Sequence, residues 1–135
     1  SEAPLATAAR AGDIEEVRML LEVRADANTV DDLGETPLFE AVASGFNDVA
    51  ALLLLHRADP CKRSDAGGVA SDIVADLSGR LLLDFFKGAE LSHEDKHAIL
   101  TEGLSDPEVR DSIAGRFRAR GMQEAYQHTL RKLRA

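Results

Sequence analysis

Residues 34–61 read GETPLFEAVASGFNDVAALLLLHRADPC, and the order of residue types along this stretch decides the fold. Gly34 permits a turn ahead of Thr36, whose hydroxyl can cap a helix that carries Pro37 at its first position. Leu38, Ala41 and Val42 then fall on one face at helical spacing, with small residues that let a neighbouring helix come close. Gly45 accepts the left-handed backbone that ends this helix and reverses the chain. Val49, Leu52 and Leu53 supply the inner face of a second helix, and Ala58-Asp59-Pro60 leads out of it. The stretch predicts a turn, two short helices and a return loop.

The same pattern stands 33 residues earlier. Pro4-Leu5 corresponds to Pro37-Leu38, Gly12 to Gly45, Leu20-Leu21 to Leu53-Leu54, and Ala25-Asp26 to Ala58-Asp59. A fixed period of this size marks a stacked-repeat architecture, because a unit so small buries its apolar face only against its neighbours. A third, weaker copy runs through Asp65-Ala66-Gly67, Ala70-Ser71-Asp72-Ile73-Val74-Ala75, Gly79 and Leu81-Leu82-Leu83-Asp84-Phe85-Phe86. Its second glycine comes one residue late, as in a degenerate end unit.

Gly34-Glu35-Thr36-Pro37-Leu38, Gly45, Leu52-Leu53-Leu54 and Arg57-Ala58-Asp59 resemble the ankyrin repeat, and the copy from Ala3 to Asn28 is similar. The resemblance covers about residues 3–88, as units 1–30, 31–63 and 64–88. It implies an all-α solenoid of paired short helices. Three departures stand out. The family places histidine after Thr-Pro-Leu, to tie adjacent loops, where this chain has Phe39 and, in the first copy, Ala6. It places a left-handed glycine before Ala-Asp, where this chain has Arg24 and Arg57; retaining that geometry costs about 1 kcal/mol at each. The third copy has Val69 in place of the capping threonine and Ser71 in place of leucine.

Beyond Gly88 the period is lost, and residues 89–135 read as a helical extension that caps the last repeat. Ser92 followed by His93-Glu94-Asp95 predicts one helix start, with Gly103 as its stop. Ser105-Asp106-Pro107-Glu108 predicts a second start, followed by Val109, Ile113 and Phe117 on one stripe that ends near Gly121. A third helix from Met122 would place Tyr126, Leu130 and Leu133 together. The alternative to a cap is a docking element for a partner, carried by the last helix with Arg131, Lys132 and Arg134.

The composition narrows function. The 135 residues are 44% hydrophobic and 30% charged, as expected for one globular domain. The net charge of −8 argues against a nucleic-acid footprint over the whole chain. Residues 1–107 hold 21 acids against 9 bases, a balance of −12, and residues 108–135 hold 3 against 7, a balance of +4. An acidic body with a basic tail suggests an intramolecular clamp or a separate docking surface. Cys61 is the single cysteine, so no intrachain disulfide forms, and an intracellular compartment, cytoplasmic or organellar, is expected rather than secretion. The longest apolar run, Val49 to Leu55, falls far below the ~20 residues a membrane span needs, so no direct membrane insertion is expected. The chain begins at Ser1 without a methionine, as expected of a processed or trimmed form, in which any targeting segment would already be gone.

One catalytic signature is present in letters. His93-Glu94-Asp95-Lys96-His97 matches H-E-x-x-H, in which two histidines one turn apart hold zinc and the glutamate activates its water. The charged residues between the histidines, and the position of His93 in a first turn, fit a solvated helix start better. A zinc hydrolase is therefore kept only as the remote third reading. Cys61 beside Lys62 and Arg63 is expected to be a half-buried structural residue, with a reactive thiol as the alternative. Gly67-Gly68 is a turn, not a nucleotide loop. No catalytic group, cofactor or structural metal is expected.

The resemblance implies contacts from loop tips and from the exposed side of each first helix. On this chain those positions are Asp32, Leu33 and Glu35 on the first tip, and Arg63 and Asp65 on the second. The helix positions are Arg10, Ala43 and Ser44, then Asp76 and Leu77. Leu33 is the leading anchor, since a leucine ringed by charges resembles an interface core with its rim; Phe46 is another. Each has a structural alternative: Leu33 folding onto a neighbouring loop, Phe46 packing between second helices. The expectation is a non-catalytic module that binds a protein partner, with acidic loops steering a basic surface. The alternative is an accessory subunit of a multiprotein assembly, held also through its C-terminal helices.

Overall fold

The computed structural model describes residues 3–134. Helices α1 (Pro4–Ala11) and α2 (Ile14–Glu22) form the first pair, and α3 (Pro37–Ala43) and α4 (Asn47–Leu55) the second. The pairs stack with α1 against α3 and α2 against α4. Short side chains make that stacking possible: Ala8, Ala9, Ala41, Ala50 and Ala51 are all buried between helices. Thr36 is buried and its Oγ1 accepts the Phe39 amide at 3.2 Å, capping α3 as its place before Pro37 predicts. Asp13 does the same for α2, accepting from the Glu16 amide at 3.2 Å.

Arg24 and Arg57 have φ of 68° and 70°. The left-handed geometry is therefore kept although neither residue is glycine, and the strain is tolerated because the surrounding loop is tied down. Asn28 supplies the tie. Its side-chain amide donates to the Arg57 carbonyl at 3.0 Å, and its Oδ1 accepts the Asp59 amide at 2.7 Å. One asparagine thus joins the return loops of consecutive units.

The third unit is reduced. Val69 has no oxygen with which to cap a helix, and the segment that would be a first helix shrinks to a 3-10 turn, Ala70–Asp72, lying against α3. Helix α5 (Leu77–Phe86) occupies the second-helix place beside α4, with Leu82, Leu83 and Phe85 buried.

The extension then covers the stack. Helix α6 (His93–Ala98) is capped by Ser92, whose Oγ accepts the Asp95 amide at 3.0 Å, and it runs into a π-helical turn, Ile99–Gly103, packed on α5. Helix α7 (Pro107–Arg134) crosses α4, with Val109, Ile113 and Phe117 buried at the predicted spacing. Phe117 meets Phe85 edge to face at 4.8 Å between centroids. The expected break at Gly121 does not occur. α7 is one helix of 28 residues, because a single interior glycine costs only about 1 kcal/mol and Met122-Gln123-Glu124-Ala125 after it all favour helix.

The start of α7 is fixed by a clasp of side chains from both repeats. Asp48, in the first turn of α4, accepts the Ser105 and Asp106 amides at 3.0 and 3.1 Å. Asp106 in turn accepts the Val109 amide at 3.0 Å and holds the Arg18 guanidinium of α2 at 2.8 Å. That guanidinium, first of all, holds the Asp106 carboxyl below its ordinary value. Farther along, Arg120 donates to the Phe85 carbonyl at 2.8 Å and lies 3.6 Å over the Phe85 ring.

Two outcomes follow for denaturant unfolding monitored by circular dichroism. Arg24→Gly and Arg57→Gly each raise stability, by up to about 1 kcal/mol, since glycine relieves the left-handed strain and returns part of the gain as chain entropy. Asp106→Asn lowers stability by about 2 kcal/mol at neutral pH, where a charged and partly buried partner of Arg18 is lost. A depressed carboxylate stabilises above its unfolded pKa, ordinarily 3.8. The deficit of the variant therefore persists down to about that pH and closes as the pH falls through the lower folded value.

Candidate protein-binding surface

The loops between units form two fingers built on one plan. In the first, Asp31 Oδ1 accepts the amides of Leu33 and Glu35, both at 2.9 Å, and the Gly34 amide donates to the Asp31 carbonyl at 3.0 Å. In the second, Ser64 holds the place of Asp31: its Oγ accepts the Gly68 amide at 3.2 Å, and the Gly67 amide donates to its carbonyl at 2.8 Å. A short oxygen-bearing side chain therefore pins each turn. The fingers are cross-linked where the Asp65 amide donates to the Leu33 carbonyl at 2.9 Å. Gly34 is required there twice over: its φ is +74°, and a Cβ would come within 2.9 Å of the Asp65 backbone nitrogen.

These bonds leave Leu33 at the tip with its side chain outward, 61% exposed, beside exposed Asp32 and Val30. Only its carbonyl is used to join the fingers. Arg63 folds back onto its own finger, donating to the Gly67 carbonyl at 2.7 Å, and Asp65 stays exposed.

Below the first finger lies an acidic cluster. Carboxylate oxygens of Asp31, Glu35 and Glu40 lie within 4.8 Å of one another. Arg10 of α1 reaches Glu40 of α3 at 3.0 Å, a pair that also bridges the two units. Burial, then the neighbouring Asp31 and Glu40 charges, push the Glu35 carboxyl above its ordinary value, and Arg10 opposes them. Ala43 and Ser44 are exposed at the end of α3. The surface thus joins an apolar tip to a negative cluster beside the first helices.

Three positions sit elsewhere than the repeat pattern implies. Asp76 and Leu77 belong not to a first helix but to the start of α5, because the third unit's first helix is reduced to a turn. Asp76 is engaged there, accepting the Gly79 amide and the Asn47 side-chain amide, each at 2.9 Å, while Leu77 is exposed. Phe46 is 36% exposed, and its ring covers Gly12, so close that a Cβ there would lie 2.8 Å from it. It packs between units more than it projects. Cys61 is exposed rather than half-buried. His93 and His97 are both exposed on the short α6. The sequence reading had no signal for Asp31 as the pin of its finger, or for Glu40 as the partner of Arg10, since both depend on the fold bringing separated residues together.

Residues 1–64 match the family model described as ankyrin repeats (3 copies). Those residues are ankyrin repeats. The curated relatives agree. The chain is 50% identical over 60 residues to cyclin-dependent kinase 4 inhibitor B of Rattus norvegicus, a match covering 44% of this chain and 45% of the inhibitor. It is 34% identical over 89 residues to protein phosphatase 1 regulatory subunit 27 of Homo sapiens, covering 66% and 57%. It is 45% identical over 67 residues to 2-5A-dependent ribonuclease of Mus musculus, covering 49% of this chain but 9% of that enzyme. The chain spans about half the length of the inhibitor and the regulatory subunit. No described helix is long and apolar enough to cross a membrane.

The raised Glu35 carboxyl gives the ankyrin stack a pH signature. A group whose folded pKa is raised lends stability fully below its unfolded value, ordinarily 4.5, and loses it as pH rises through the folded value. Glu35→Gln therefore stabilises the stack at pH 7, with no gain at pH below that ordinary value, in thermal melts compared across the range.

Proposed function

We propose that this chain is a non-catalytic regulatory module that binds a partner protein through its first finger and the exposed side of its first helices. The observation that carries this reading is the outward Leu33, held on a hydrogen-bonded tip that Asp31 pins, next to the cluster of Asp31, Glu35 and Glu40. An ordered apolar anchor loses little conformational freedom on binding, and the acids around it select a basic complement. Support also comes from the names of the relatives. A kinase inhibitor and a phosphatase regulatory subunit are proteins defined by the enzymes they act on. Ankyrin stacks serve such roles through shape, and nothing in this recess supplies a nucleophile with its base.

In this mode the partner presents an apolar pocket for Leu33 flanked by lysine or arginine. The acidic body steers its approach, so association is faster at low ionic strength. Arg63 and Asp65 extend the contact along the second finger, and Ala43 and Ser44 offer a flat patch where a partner segment can lie close.

The experiment is affinity capture from lysate of the source cell with the wild type and an Asp32→Arg/Leu33→Arg variant. Both side chains are exposed and neither pins its turn, so the fold is preserved. A protein retained by the wild type and lost by the variant, with association that weakens as salt rises, is the expected result. A protein retained equally by both moves the interface away from the first finger, and residues 92–135 then become the docking element of an assembly subunit.

A further inference from the structure

A pocket of about 280 Å³ opens between α6 with its π turn and the anchored part of α7. Its floor is apolar, made by Leu100 of the π turn and by Ala114 and Phe117 of α7. Its rim is basic, made by His93, Lys96 and His97 of α6 and by Arg118 of α7. Helical spacing brings each set to one face: residues 93, 96, 97 and 100 on one wall, and 114, 117 and 118 on the other. The π turn carries Leu100, and Thr101 Oγ1 beside it donates to the His97 carbonyl at 2.9 Å. Such turns recur at functional sites.

The charge of this pocket runs against that of the chain. The sequence holds 24 acids against 16 bases, yet no acid lines the pocket. Glu94 and Asp95 of α6 and Asp111 of α7 all fall outside the lining. Among the described residues, none of the four basic side chains has a hydrogen bond or an ion pair. Arg110, Arg116 and Arg120 of α7 differ in this respect, since each donates to a backbone carbonyl. Lys96 has only the Phe117 ring, 6.0 Å from its Nζ. It also borders a small cavity with Glu90 and Glu124, and pairs with neither. A cleft lined by one sign of charge over apolar walls concentrates the opposite ion.

Two simpler occupants fit poorly. His93 and His97 stand one turn apart, but among the described residues no third ligand converges on them, and Lys96 and Arg118 repel a cation. A bare inorganic anion matches the rim but leaves Leu100, Ala114 and Phe117 uncovered. The occupant has to carry both an apolar body and negative charge.

We propose that this pocket takes an acidic peptide segment of a partner protein, in which one large apolar side chain is flanked by carboxylates. The apolar side chain lies on Leu100, Ala114 and Phe117, and the carboxylates reach Lys96, Arg118 and the two histidines. The planar fork of Arg118 suits a carboxylate in particular. An apolar centre inside a charged rim is the ordinary anatomy of such a contact. The site is the charge inverse of the first finger, where Leu33 of this chain stands among acids. The two surfaces therefore select segments of opposite charge.

Proton–nitrogen correlation NMR of the full chain, titrated with the peptide acetyl-Glu-Asp-Phe-Asp-Glu-amide, tests the site. Saturable shifts are expected in residues 93–101 and 114–118. Exchanging the phenylalanine of the peptide for alanine, or its acids for lysines, weakens binding about tenfold or more. Lys96→Glu and Arg118→Glu each weaken it to a similar degree and keep the helical circular dichroism, since neither side chain is bonded within the chain. Asp32→Arg/Leu33→Arg binds the peptide as the wild type does, which separates this site from the finger. The proposal is overturned by the absence of saturable shifts, by equal binding of the alanine peptide, or by unchanged binding in Lys96→Glu and Arg118→Glu. Inorganic phosphate alone, if it shifts Leu100 and Ala114 as fully as the peptide, overturns it as well.

Discussion

The contact on which the rest of the structure depends is the clasp of Arg18, Asp48 and Asp106. Asp106 has two tasks at once: it caps α7 through the Val109 amide and it holds the Arg18 guanidinium. Asp48 takes up the two amides just before it. Only with the helix start fixed in this way do Val109, Ile113 and Phe117 arrive over α4 and α5. The pair is mostly shielded from water, with side-chain exposures of 15% and 17%. It therefore keeps strength that a surface pair loses to screening, while its several hydrogen bonds offset desolvation. The clasp draws one member from each of the two good repeats and one from the extension, so cap and stack hold each other in register.

That dependence has a reason in the weakness of the repeat stack. The two complete units carry left-handed arginines, and the third has lost its first helix. A stack that ends in a single helix, α5, exposes the apolar side of that helix unless something covers it. The π turn covers one side of α5, and Phe117 with Arg120 covers Phe85. The acids of the fingers play no part in this core.

Electrostatics are divided along the same line. In the first finger and its recess, Asp31, Glu35 and Glu40 are held near one another with Arg10 as the basic counterweight, at a cost that the raised Glu35 carboxyl records. On the other side of the molecule α7 ends in Arg131, Lys132 and Arg134. Acidic recess and basic helix end do not neutralise each other within one chain.

The repeats were legible in the sequence because their signals are local. Thr36-Pro37 starts a helix by capping, Gly12 and Gly45 end helices by their backbone freedom, and the offset of 33 residues repeats those signals in order. The buried stripe Val109, Ile113 and Phe117 was legible for the same reason, whereas the outward position of Leu33 was left open against its folding onto a neighbouring loop. What the sequence by itself determined is thus the helices of the first two units, their period and the inner face of each. Tertiary structure alone decided that Arg18 meets Asp106 across 88 positions, that Phe46 covers Gly12, that Asp76 caps α5, and that α7 passes unbroken through Gly121. The physical reason is that capping and periodicity act over a turn or two of chain, whereas these outcomes depend on which surfaces are left uncovered once the stack has formed.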